Sequence, residues 1–146
     1  MTNARKNLKV LSILMLVLTA FTFARTIWEA FTMDFNLEAL PEGTTAGAVL
    51  AAQIVLCVLS FIFLLPQIYV GAKGLKISQN PNRSKAHIMW AMILTVISAI
   101  SIIFPVANLI RAGDLAENLL ALLDLVTDVV VYIAYIVYAK QVLKDA

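Results

Sequence analysis

Residues 119–138 read LLALLDLVTDVVVYIAYIVY. The run is apolar for long enough to cross a hydrocarbon core of ~30 Å at a helical rise of ~1.5 Å per residue. It also carries Asp124 and Asp128, which share one helical face because they are four residues apart. A carboxylate deep in a bilayer costs roughly 2.5–3.5 kcal/mol on insertion scales and turns toward protein or water, not lipid. The rest of the chain must therefore supply further spans around this one, and a polar partner for its acids.

Composition agrees. Of 146 residues, 62% are hydrophobic and 14% charged, against about 45–50% and about 25% in soluble domains. The length allows four spans with short loops, so residues 1–146 read as a single membrane domain. Cys57 is the single cysteine and lies in an apolar run, which excludes a disulfide framework and a Cys-based metal site. The lone His87 excludes a bis-His haem within one chain. Neither a cofactor nor a metal is implied, and no stretch has the footprint of a nucleic-acid binder.

The spans fall at about residues 8–33, 46–70, 86–110 and 116–140. The first begins with Arg5, Lys6 and Lys9. A basic start, a short apolar core and Thr22-Phe23-Ala24 also describe a secretory signal peptide, but the run continues to Met33 as a span does. Pro41 and Gly43 break the first loop, and Thr45 is placed to cap the second helix. Gly71 or Gly74 is a natural stop for that helix. Asn80-Pro81 then marks a turn, Ser84 is placed to cap the third helix, and Pro105 frees the carbonyl of Ser101. Residues 111–114 make so tight a link that the last two spans should be antiparallel neighbours, with Asp114 and Glu117 as a capping box. Nine of the eleven Lys and Arg residues fall on one side, with Arg111 opposite and Arg25 inside the membrane. The positive-inside rule then puts both termini in the cytoplasm. The expected fold is all-α: an up-down-up-down four-helix transmembrane bundle.

Each span has a polar or small face when wound at about 100° per residue. On the first it is Leu18, Thr22, Arg25 and Glu29; on the second, Gln53, Cys57, Ser60, Leu64, Gln67 and Gly71. The third presents Ala91, Ser98, Ser101, Pro105 and Asn108, and the fourth Glu117, Ala121, Asp124, Asp128, Tyr132, Tyr135 and Ala139. Four such stripes describe a bundle with a polar interior, biased to the half away from the basic loop. Arg25 and Asp124 lie at similar depth, so Arg25 is expected to pair with Asp124 or to be shared with Asp128. The candidate ligand- or ion-binding set is Arg25, Gln53, Ser98, Ser101, Asn108, Asp124 and Asp128. His87, near a helix end, offers a pH sensor but reads first as an interfacial residue bonded to water or headgroups.

Three local resemblances bear on function. Asp124-Leu-Val-Thr-Asp128 resembles the D-x-x-x-D of intramembrane aromatic prenyltransferases, but those carry two such motifs at the membrane surface. Pro66-Gln67 resembles the motif of PQ-loop and SWEET transporters, which are built from three-helix repeats. Gly71-Ala-Lys-Gly-Leu-Lys, Asn80-Pro81 and Ser84-Lys85-Ala86-His87 resemble the central loop of small bacterial tetraspan proteins. That resemblance implies the bacterial cytoplasmic (inner) membrane and brings no activity with it. Taken together, the sequence points first to a non-enzymatic membrane protein that binds or passes a small ligand, ion or proton, in contact with membrane lipid and compatible with a homo-oligomer. Second comes a structural or accessory subunit whose polar stripe fixes helix packing, and third a lipid-modifying enzyme.

Overall fold

The computed structural model describes residues 2–32, 41–112 and 115–146. These form five helices: α1 (Asn3–Thr32), α2 (Ala46–Gln79), α3 (Ala86–Ser101), α4 (Ile103–Ala112) and α5 (Leu115–Asp145). No strand occurs among the described residues. Helices α1, α2 and α5 hold 30, 34 and 31 residues, and α3 with α4 gives a fourth apolar stretch of 26, Ala86–Arg111. At ~1.5 Å per residue each exceeds the thickness of a hydrocarbon core. The outward faces are apolar, with Phe63 and Ile110 exposed by 78% and 82%, as lipid contact requires and water would not tolerate. The fold is an all-α helical bundle with four helices fit to cross a membrane.

The chain divides into two compact units. The smaller is Val17–Leu65. In it α1 and α2 run antiparallel: the Phe23 and Phe61 rings pack tilted at 5.4 Å, and Gln53 Nε2 donates to the Ala30 carbonyl at 2.7 Å. Between the helices, Thr44 N donates to the Pro41 carbonyl at 3.2 Å. Gly43 takes φ +85° at the third position of this turn, where a side chain would be strained. Thr45 caps α2 as expected, its hydroxyl accepting from Ala48 N at 3.1 Å.

The larger unit is Met1–Leu16 with Pro66–Ala146. Helices α3 and α4 pack along α5, joined to it through the two residues between Ala112 and Leu115, so the antiparallel neighbours are as expected. Asp114 of the expected capping box lies outside the described residues. Ile102 separates α3 from α4 yet keeps φ −59° and ψ −28°, so the span is interrupted without reversing. Pro105 lies one turn beyond Ser101 and has no N–H for that residue's carbonyl, which accounts for an interruption there.

Two expectations are corrected here. Helix α2 does not stop at Gly71 or Gly74; it runs through both to Gln79. The glycines serve close packing instead. A Cβ on Gly71 would lie 2.8 Å from Leu16, and one on Gly74 would overlap Ser12 Oγ and lie 2.5 Å from the Tyr135 ring and hydroxyl. Lipid-facing helices without a strong hydrophobic drive between them gain from such small residues. Nor does Ser84 cap α3: the N-cap is Lys85, with no side-chain cap bond. Ser84 N is engaged by Asn82 Oδ1 at 3.0 Å, an Asx turn that holds the loop.

The C-terminus of α2 is closed by a distant residue. Arg5 donates from Nε to the Ser78 carbonyl at 2.9 Å and from Nη2 to the Gln79 carbonyl at 2.6 Å. A guanidinium suits this task because it satisfies orphan carbonyls and opposes the negative end of the helix dipole.

Candidate functional site

The buried polar groups of the larger unit gather at its basic-loop end. Ser12, Ser78, His87 and Tyr135 are each at most 1% exposed. Their places follow from helical spacing. On α1 the buried residues Ala4, Leu8, Ser12 and Met15 repeat every three or four positions. On α5 the corresponding residues are Val131, Tyr132, Tyr135, Ala139 and Val142, and on α3 they are His87, Ile88 and Ala91. Gly74 opens the gap on α2 into which Ser12 and the Tyr135 ring fit.

At the centre, His87 Nδ1 lies 2.7 Å from the Tyr135 hydroxyl, and the rings meet edge-on with centroids 5.8 Å apart. The same hydroxyl lies 3.1 Å from the Val70 carbonyl, while His87 Nε2 lies 3.2 Å from the Ser84 carbonyl. Hydrogen counting limits the states of this network. Both carbonyls only accept, and the tyrosine has one proton to give. With neutral His87, Nε2–H donates to Ser84 and the Tyr135 O–H donates to bare Nδ1. With protonated His87, both ring nitrogens donate and the Tyr135 O–H turns to Val70. Each arrangement satisfies both ring nitrogens, so the proton is gained or lost with only a hydroxyl rotation. Lys73 on α2 is a further charged group acting on His87.

From Tyr135 the file continues along one face of α5 through Tyr132, Asp128 and Asp124 at steps of three and four residues. Neighbours at that spacing have Cβ atoms about 5–6 Å apart. Tyr135 is fully buried and Tyr132 nearly so, Asp128 is half-buried and Asp124 exposed. The file therefore opens progressively toward the acids.

The sequence-derived candidates divide between the units. Arg25 and Gln53 belong to the smaller; Ser98, Ser101, Asn108, Asp124 and Asp128 to the larger. Arg25 Nε makes an i,i+4 ion pair with Glu29 Oε1 at 2.8 Å, half-exposed on both sides. Gln53 is buried by its bond to Ala30. Ser98 and Ser101 are half-buried, and Asn108 is exposed. Ser101 Oγ bonds back to the Ile97 carbonyl at 2.7 Å. In the larger unit the fully buried polar groups lie by the basic loop. The physical reason is packing, since Gly71 and Gly74 let the helices approach at that end.

His87 is the functional candidate that sequence reasoning misplaced. It is buried and bonded to the Tyr135 hydroxyl and the Ser84 carbonyl, not to water or headgroups. The signal was present: His87 stands one helical turn before Ala91, on the same stripe. Tyr135 on the facing stripe needed a partner for its buried hydroxyl.

Fold and site together define a multi-pass helical membrane protein with a buried histidine–tyrosine centre. Comparison with known protein families, curated proteins and solved structures found no match to any of them.

Proposed function

We propose that this chain is a proton-handling protein of the bacterial cytoplasmic membrane, with both termini on the cytoplasmic side. His87 accepts and releases the proton, Tyr135 relays it, and Tyr132, Asp128 and Asp124 continue the path along α5 with intervening water. The observation that carries this reading is the hydrogen bond of His87 to Tyr135, within a network that is satisfied whether the imidazole is neutral or charged. The clustering of basic residues around the termini and the loop at 73–85 supports the orientation. The loop resemblance to bacterial tetraspan proteins supports the location.

The experiment is proton flux into liposomes containing the purified protein, read by an interior pH dye under an imposed potassium diffusion potential. The wild type should acidify the lumen faster than empty liposomes, and His87→Gln and Asp128→Asn should each cut that rate at least about ten-fold. Equal rates for the wild type and His87→Gln would sink the reading.

A second reading has one observation in its favour. No buried side-chain nitrogen or oxygen among the described residues lacks a partner, as expected if the network only fixes helix packing in an accessory subunit. It predicts that His87→Gln lowers thermal stability in detergent and that neither wild type nor variant conducts protons.

A further inference from the structure

A groove of about 240 Å³ runs between α3 and α5 at the basic end of the larger unit. Its walls are Ile88, Met89 and Met92 from α3 and Leu143 from α5, and two lysines, Lys85 and Lys140, complete the lining. Both lysines are exposed. Neither forms an ion pair among the described residues, and no acid contributes to the lining. Lys85 immediately precedes α3, and Lys140 lies beyond the apolar run in the last turns of α5. The cations therefore flank the apolar stretches of α3 and α5 at one end, the position that headgroups would take in a bilayer.

We propose that this groove is a binding site for one anionic phospholipid, its phosphate held by Lys85 and Lys140 and an acyl chain laid over Met89, Met92 and Leu143. The apolar floor excludes a wholly polar anion as the preferred occupant. In a membrane-spanning chain a lateral apolar groove is filled by an acyl chain, and the unpaired cations select which headgroup comes with it. Methionine suits such a wall, since its flexible thioether adapts to a disordered chain. Each lysine near an anionic headgroup is worth about five-fold in partitioning.

Native mass spectrometry of the full chain, released from a neutral detergent, tests the site. The probes are phosphatidylglycerol, phosphatidylcholine and inorganic phosphate. One phosphatidylglycerol should be retained at least about ten-fold more tightly than phosphatidylcholine. K85Q/K140Q should lose most of that preference, while K76Q/R83Q, which removes the same charge elsewhere in the basic region, should keep it. Met92→Trp, which fills the groove without altering charge, should weaken lipid retention on its own. Equal retention of the two lipids, or equal loss in both double variants, would overturn the proposal in favour of general surface charge. Displacement of the lipid by millimolar inorganic phosphate would overturn it in favour of a phosphate site.

Discussion

Four glycines experience different surroundings, and that difference should be measurable. A methyl group at Gly74 would meet Ser12 Oγ and the ring of the fully buried Tyr135. Both side chains are buried and hydrogen-bonded, Ser12 to Leu8 and Tyr135 to His87 and Val70, so Gly74→Ala should destabilise by about 1–3 kcal/mol, the range for overpacking. Gly71→Ala meets only the side chain of Leu16 and a backbone oxygen at 3.4 Å, and should cost less. At Gly47 the nearest atom is Thr45 Oγ1 at 3.8 Å. Alanine there should be neutral or stabilising by up to about 1 kcal/mol, because glycine is a poor helix residue. Thermal unfolding in detergent should therefore rank Gly74→Ala below Gly71→Ala below Gly47→Ala. Gly43, at φ +85°, should resist alanine for a different reason, backbone strain.

The interrupted span offers the sharpest test among the elements. Pro105→Ala supplies the amide that the Ser101 carbonyl lacks, so α3 and α4 should join into one helix. Hydrogen exchange should then slow at residues 102–106 and leave α5 unchanged; unaltered exchange at Ile102 would assign the break to some cause other than the proline. What the sequence disclosed about elements follows the same physics. The stripes on α2 and α5 were legible because polar and small residues recur at helical spacing, and Gln53, Gln67, Tyr132, Tyr135 and Ala139 are indeed buried. The end of α2 was not legible. Glycine punctuates helices in water, whereas here it admits Ser12 and Tyr135, and nothing in residues 71–79 announces that Arg5 will close the helix from seventy-odd positions away. His87 was half-legible: its place on the Ala91 stripe could be read, but its depth depends on how closely α2 approaches.

For the whole molecule, the distribution of charge predicts which way the chain lies. In a Cys57→Ser background, a cysteine placed at Thr44 should react with a membrane-impermeant maleimide in intact cells, and one placed at Lys144 should react only after the membrane is opened. The reverse pattern would overturn the proposed cytoplasmic placement of the termini and, with it, the direction of the proposed proton path along α5.

One set of heavy-atom positions accommodates both hydrogen arrangements of the His87–Tyr135–Val70 network. They differ by one proton on a ring nitrogen and by the bearing of one O–H bond. Under the proposed function such a centre needs no hinge and no repacking, so its response would be set by proton delivery to Nδ1 through the Tyr135 side and not by the sluggish movement of helices in lipid. Its signature is accordingly vibrational: the stretching and bending bands of a single tyrosine hydroxyl should shift with pH while the helical amide bands remain fixed.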